Sequence, residues 1–171
     1  MRLGSSMKVG IGAIDTPLGR MVVAASDEGV VRLGWSGELV NKSMVGRHHV
    51  ETARKWVSAF FQRRDAPVPV LDRDSLTAFQ RKVLGTLPDV APFGEVISYG
   101  DLALAAGYEN SSRAVGSAMA GNPWALLVPC HRVIRRNGAI GNYSGCRGPE
   151  TKSWLLEHES AGLGNDLRIE G

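Results

Sequence analysis

Ser98-Tyr99-Gly100-Asp101-Leu102-Ala103-Leu104-Ala105-Ala106-Gly107-Tyr108-Glu109-Asn110-Ser111-Ser112-Arg113-Ala114-Val115-Gly116-Ser117-Ala118-Met119-Ala120-Gly121 reads as two short helices around a tight turn. Ser98 offers an N-cap, and Asp101 places a carboxylate in the first turn, where the helix dipole favours it. The first helix runs on to Ala106, and Gly107 suits the left-handed position that closes a helix. Ser111 can cap a second helix that continues to Ala120 and ends at Gly121. Such a pair is a helix-turn-helix signal, although any corner between two helices shares its pattern. In the second helix Val115, Ala118 and Met119 can face a core. Ser112, Ala114 and Gly116 are small, and Arg113 is the one long polar side chain. A helix that reads bases in the major groove usually presents several Asn, Gln, Arg or Lys. Small residues instead allow close approach of a backbone, either to DNA or to another helix. Arg113 fits a base stack or narrow groove on the first reading, and a solvated charge on the second.

C-terminal to this pair lies the second informative stretch, Pro129-Cys130-His131-Arg132-Val133-Ile134. Proline fixes its own φ and biases Val128 towards extended backbone, so the segment is expected to be a short strand. The imidazole and guanidinium beside Cys130 are surroundings that favour a thiolate. A cysteine behind Leu126-Leu127-Val128 also has a plainer reading, as a small buried apolar side chain. If the stretch is regular, Cys130 and His131 point to opposite faces and share no direct hydrogen bond. A basic turn, Arg135-Arg136-Asn137-Gly138, and a glycine-rich loop to Cys146 follow. The closing helix is expected over Glu150 to Ala161, with Trp154, Leu155, Leu156 and His158 on or near its buried side. Glu157 is a carboxylate among apolar neighbours.

N-terminal to the helix pair, Thr77 and Gln80 form a capping box for a helix that buries Phe79, Val83, Leu84 and Leu87 and is expected to end at Pro88. Asp72-Arg73-Asp74 reads as a linker, which divides the chain into domains 1–73 and 74–171. Before it, Lys8 to Asp15, Met21 to Ala25 and Val30 to Trp35 read as three strands of an antiparallel meander with tight turns. Residues 36–49 read as irregular. Val50, Ala53, Val57 and Phe60 recur at helical spacing over 50–61. Val68 to Leu71 reads as an edge strand.

The whole chain has 171 residues, 43% hydrophobic and 22% charged, with a net charge of +3. These values suit a globular protein with a real core, and mild basicity is compatible with a nucleic-acid partner. No apolar run has the length of a membrane span, and Met1 to Met7 lacks the apolar core of an export signal, so a cytoplasmic location, or a nuclear one in a eukaryote, is expected; the second methionine, Met7, suggests either an alternative start or a frayed end. Cys130 and Cys146 form no metal-binding or redox CxxC pair, and both are read as reduced; no metal and no cofactor are expected.

Taken together, Phe93-Gly94-Glu95-Val96-Ile97-Ser98-Tyr99, Ser112-Arg113-Ala114-Val115-Gly116, Gly121-Asn122-Pro123, Pro129 to Ile134, Gly141-Asn142-Tyr143-Ser144-Gly145 and Trp154 to Glu159 closely resemble the O6-alkylguanine-DNA alkyltransferases. The resemblance spans about Leu76 to Gly162. It implies an α+β protein with a small ribonuclease-H-like N-terminal domain and a mostly α winged helix-turn-helix C-terminal domain. It implies transfer of an alkyl group from O6 of guanine, and often O4 of thymine, onto the protein's own cysteine. By resemblance, Cys130 is the acceptor, His131 deprotonates it through a water, and Glu157 orients His131. Asn122 braces the turn before the active-site segment, Tyr99 helps to rotate the nucleotide, and Arg113 replaces the extruded base. Ser112, Ala114 and Gly116 lie against the minor groove, and the Val133 backbone with Tyr143 and Ser144 lines the base pocket. The implied partner is double-stranded DNA with an alkylated guanine, met by a monomer, with cooperative binding left open. Cys146 stands where glycine is common, in a slightly longer loop. Two other readings fit the residues less well: a lesion sensor that binds without repairing, and a Cys-His-Glu thiol hydrolase.

Overall fold

A computed structural model describes residues 8–37, 41 and 43–160, which fall in two compact units, 1–76 and 77–171. The reading of Met1 to Met7 as a frayed end and the placing of Ala161 in the last helix lie outside the described residues. Among the described residues no helix is long and apolar enough to cross a membrane.

In the first unit, β1 (Gly10–Thr16), β2 (Gly19–Ser26) and β3 (Gly29–Gly34) form an antiparallel sheet in that order. Both hairpins close over two residues. Thr16 Oγ1 accepts the Leu18 N–H and Ser26 Oγ accepts the Glu28 N–H, so each strand end supplies its own turn with a hydrogen-bond partner. Helix α1 (Arg47–Phe61) starts three residues before the apolar periodicity does. Its start depends on Gly46, whose φ is 60° and where a Cβ would lie 2.4 Å from Ala25 O. No side chain fits there. Helix α1 buries Val50, Ala53, Val57 and Phe60 over β1 and β2, the face its spacing predicts. The expected linker is part of this unit. Leu71 bridges to Val30, Asp72 N–H donates to Val30 O at 2.9 Å, and the buried Asp72 carboxylate accepts Ser26 Oγ–H at 2.6 Å. A polar tripeptide looks like a linker when its partners, 40 residues away in sequence, are out of view.

The second unit begins at α2 (Ala78–Val90). The Thr77–Gln80 capping box is formed in both directions, at 3.1 and 2.9 Å. Pro88 does not end the helix. Only its own missing N–H is lost, and Ala91 N–H still donates to Leu87 O at 3.0 Å. Helix α3 (Tyr99–Ala105) is capped by Ser98 Oγ, which accepts the Asp101 N–H, and it closes through Gly107 at φ 87°. Helix α4 (Ser112–Ala120) buries Val115, Ala118 and Met119. Ser111 does not cap it with its side chain; its hydroxyl donates back to Glu109 O instead. Two short parallel strands, β4 (Ile97–Ser98) and β5 (Val133–Ile134), tie the helix pair to the segment after Cys130, and α5 (Pro149–Ser160) closes the unit.

Candidate active site

Asn122 organises the approach to Cys130. Its Oδ1 accepts the Trp124 N–H at 3.0 Å, and its Nδ2 donates to Val128 O at 2.8 Å and Trp124 O at 3.3 Å. One side chain thus satisfies both ends of a loop that has little regular structure. Within that loop the backbone is tight. Leu127 N–H donates to Ala125 O at 2.8 Å around Leu126, whose φ of 71° is rare for a branched side chain. Cys130 N–H donates to Val128 O at 2.8 Å around Pro129, at φ −80° and ψ 65°, an inverse γ-turn. Arg132 N–H then donates to Pro129 O, which closes a single 3₁₀ turn over Cys130–Arg132.

The expected strand through Cys130 is therefore absent, and β5 starts only at Val133. Proline fixes φ but leaves ψ free, and here ψ takes the turn value. The objection that Cys130 and His131 face opposite ways belonged to an extended chain and does not apply to this turn.

The carboxylate that meets His131 is Glu159. His131 Nε2 donates to Glu159 Oε2 at 2.7 Å; both residues are buried. Glu157, expected in that role, is exposed. Helix geometry explains the difference. Leu155 and Leu156 face inward, Glu159 lies four residues after Leu155 on the same face, and Glu157 is turned about 160° away from Glu159. The buried face of α5 is Thr151, Lys152, Leu155, Leu156 and Glu159. Three of these five are polar, so the apolar pattern that locates a buried face is missing from the sequence.

Arg132 completes the cluster. Its Nε and Nη2 donate to the two Glu159 oxygens, each at 2.8 Å, and Nη1 donates to Ala91 O at 2.8 Å. Its guanidinium carbon stands 5.7 Å from the Phe93 ring centre. Burial works against the Glu159 charge, but hydrogen bonds from His131 and Arg132, with the Arg132 charge, outweigh it and hold its pKa down at about 2. Burial lowers the pKa of His131 in spite of the carboxylate. Its ring is therefore neutral, with the Nε2 proton turned to Glu159 and Nδ1 as the basic atom.

Lys152 is fully buried. Its Nζ donates to Val133 O at 2.6 Å and Asn142 O at 3.2 Å and sits 5.7 Å from the Tyr99 ring centre. Burial lowers its pKa to about 8, while Cys130 opposes the fall. Burial raises the pKa of Cys130, and Asn122 and Lys152 draw it back. Burial also raises the pKa of the Tyr99 hydroxyl, so it keeps its proton.

Cys130 opens onto a cavity of about 600 Å³. Tyr99 lines it from α3; Ser112, Arg113 and Gly116 line it from α4; Tyr143 and Ser144 line it from the glycine-rich loop. Val133 and Ala114, expected at the pocket and the DNA face, do not line it. The Val133 carbonyl is taken by Lys152, and Ala114 is exposed on α4. His131, Asn122 and Glu159 stand behind the wall. Met119 and Arg135 are lining residues that composition did not single out. Cys146 is exposed at φ 46°, the backbone region that glycine enters freely, which accounts for glycine as the simpler residue there.

Residues 78–161 match the family described as 6-O-methylguanine DNA methyltransferase, DNA binding domain. The human methylated-DNA–protein-cysteine methyltransferase is 38% identical over 168 residues, which cover 88% of this chain and 80% of that protein. The constitutive enzyme of the same name from Bacillus subtilis is 32% identical over 155 residues, covering 85% and 92%. Among solved structures, Mycobacterium tuberculosis O6-methylguanine methyltransferase superposes with a TM-score of 0.73 at 31% identity, over 94% of this chain and 98% of that one. The OGT of the same organism in complex with DNA gives 0.72 at 32% identity, over 88% and 92%.

Proposed function

We propose that this chain, which belongs to the methylated-DNA–protein-cysteine methyltransferases, repairs alkylated DNA by moving the alkyl group from O6 of a flipped-out guanine onto Cys130, once per molecule. Membership makes it a DNA-binding repair enzyme. The finer reading rests on one observation: Cys130 opens onto the cavity while His131, Glu159 and Arg132 form a buried hydrogen-bonded chain behind it.

Cys130 rests as a thiol. Its proton passes, through a bridging water, to His131 Nδ1, and the resulting imidazolium is stabilised by ionised Glu159. Lys152 offsets the charge left on sulfur. The thiolate attacks the alkyl carbon in line. The carbon–O6 bond breaks, its electron pair moves into the guanine ring, and the ring takes up a proton. Tyr99, which is protonated, is placed to donate a hydrogen bond to the departing base. The product is a thioether on Cys130 and unmodified guanine. No group in the cavity is set to hydrolyse a thioether, so each molecule reacts once.

In this reading α3 and α4 are the helix-turn-helix of a winged domain, and α4 lies in the minor groove with Ser112, Ala114 and Gly116 against the backbone. Arg113 fills the gap in the stack. Flipping costs a few kcal/mol, and less for a poorly paired alkylguanine, which itself selects for the lesion. The meander and α1 of the first unit are in keeping with a ribonuclease-H-like domain.

The test is an incubation with excess duplex carrying one O6-methylguanine, followed by intact mass and a peptide map. One added methylene on the Cys130 peptide, never more than one per molecule and absent in Cys130→Ala, is the expected outcome. Binding with no change in mass would instead describe a lesion sensor.

A further inference from the structure

Arg135 is a cavity-lining cation for which the reaction just described has no task. Its backbone is pinned at the start of the turn after β5: its N–H donates to Ala139 O at 2.9 Å, and its carbonyl accepts the Gly138 N–H at 2.9 Å. Its stem passes close to Gly141. A Cβ on Gly141, at φ 76°, would lie 3.6 Å from Arg135 Cγ and 3.3 Å from the Tyr99 hydroxyl. Arg135 and the Tyr99 phenol therefore share the space above a bare backbone position. Its neighbour differs. Arg136 lays Nη2 3.3 Å from where a Cβ of Gly100 would be, over the start of α3, and does not line the cavity.

The charge of Arg135 is felt by the groups around the cavity: it lowers the pKa of Tyr99 and of Lys152. Among the described residues no carboxylate lies within ion-pair distance of it. An exposed guanidinium at the edge of a cavity, without a carboxylate beside it among the described residues, is matched to an anion from outside. The base and its alkyl group are neutral, so the anions a flipped nucleotide brings are its phosphates. Guanidinium binds phosphate in two parallel hydrogen bonds, which fixes orientation as well as position.

We propose that Arg135 grips a phosphate flanking the flipped nucleotide and so holds the target base in register with Cys130. This rests on the alkyl-transfer reading above. Arg135 is then a substrate-binding residue specific to DNA, and it leaves a free alkylated base nearly untouched.

The experiment compares two substrates, duplex DNA with one O6-methylguanine and the free base O6-benzylguanine, with wild type, Arg135→Ala and Arg135→Lys. For Arg135→Ala the duplex reaction is expected to slow about 10- to 100-fold, the range of a charged hydrogen bond. The free-base rate should change by no more than about 3-fold, a limit set by the modest field of an exposed charge. The slope of log affinity against log salt for duplex should fall by about one. Arg135→Lys should keep that slope and recover part of the duplex rate. An equal loss on both substrates would overturn the proposal, because Arg135 would then act on the thiol or the base; so would an unchanged duplex rate. Failure of wild type to react with either substrate would count against the alkyl-transfer reading alone. The phosphate contact would still be decided by the salt slopes of duplex binding in Cys130→Ser with and without Arg135→Ala.

Discussion

The two units treat buried polar groups differently. The described core of the first unit is apolar except for Ser26 and Asp72, which bond to each other at the junction of β2, β3 and the segment after Leu71. The second unit buries His131, Arg132, Thr151, Lys152 and Glu159, four of them ionisable. Taking charges out of water is costly, and a hydrophobic set of the same shape would often be at least as stable. The first unit spends its one buried pair on closing a fold. The second concentrates its buried ionisable groups within two residues of Cys130 and along the face of α5, where the proposed reaction would use His131, Glu159 and Lys152.

The largest test of this contrast is Glu159→Gln. It leaves Arg132 and His131 buried without their anion. The second unit should lose about 3–5 kcal/mol, and alkyl transfer should fall by at least about 100-fold. Glu157→Gln, two residues away and exposed, should change neither. Hydrogen exchange read separately over each unit, with single-turnover kinetics, distinguishes the variants.

Acid should act on the second unit in the same way. Glu159 falls from an ordinary value of 4.5 to about 2 on folding. A lowered carboxylate pKa stabilises the fold fully above the unfolded value and ceases to do so as pH falls from about 4.5 to about 2. The loss is on the order of 3 kcal/mol. Urea titrations across that range should show this loss in wild type and a smaller one in Glu159→Gln.

In the first unit, Asp72→Ala should cost about 1–3 kcal/mol, since it leaves the buried Ser26 hydroxyl with only the long contact to Gly29 O at 3.4 Å. Transfer should be unaffected. A large loss of transfer would mean that the division between a structural and a chemical unit is wrong.

The smallest effect on stability is expected from Lys152→Met, within about 1 kcal/mol at neutral pH, because the loss of two hydrogen bonds is offset by the end of charge burial. Folding lowers the pKa of Lys152 from 10.5 to about 8. Its burial therefore costs stability below about pH 8, and wild type should gain stability as pH rises from about 8 to 10.5. The variant should lack that gain. It should also transfer about 10-fold more slowly, without the alkaline decline of rate that deprotonation of Lys152 produces in wild type. A rate equal to wild type would show that the ammonium serves packing alone.

Much of this was legible in the residues. The meander, the capping box at Thr77, the helix pair around Gly107 and the inward face of α4 follow from periodicity and capping, which act over a few residues. Cys130, His131 and Tyr99 were identified from motif resemblance, and local pattern left Cys130 between nucleophile and buried apolar side chain. Other features were not legible. Glu159 and Lys152 escaped notice because a buried face built from charges has no hydrophobic period. Asp72 resembled a linker because its partner is Ser26. The turn through Pro129 and Cys130 resembled a strand because proline constrains one dihedral and leaves the other to its surroundings.

The sequence by itself determined which chemistry is present: a thiol, an imidazole, a phenol and a helix of small residues, each carried by a short motif. Only the tertiary structure decided which carboxylate and which ammonium stand near that thiol. Those choices depend on distances between residues about 20 to 30 positions apart, which the packing of α5 against the Cys130 turn sets and no local pattern encodes.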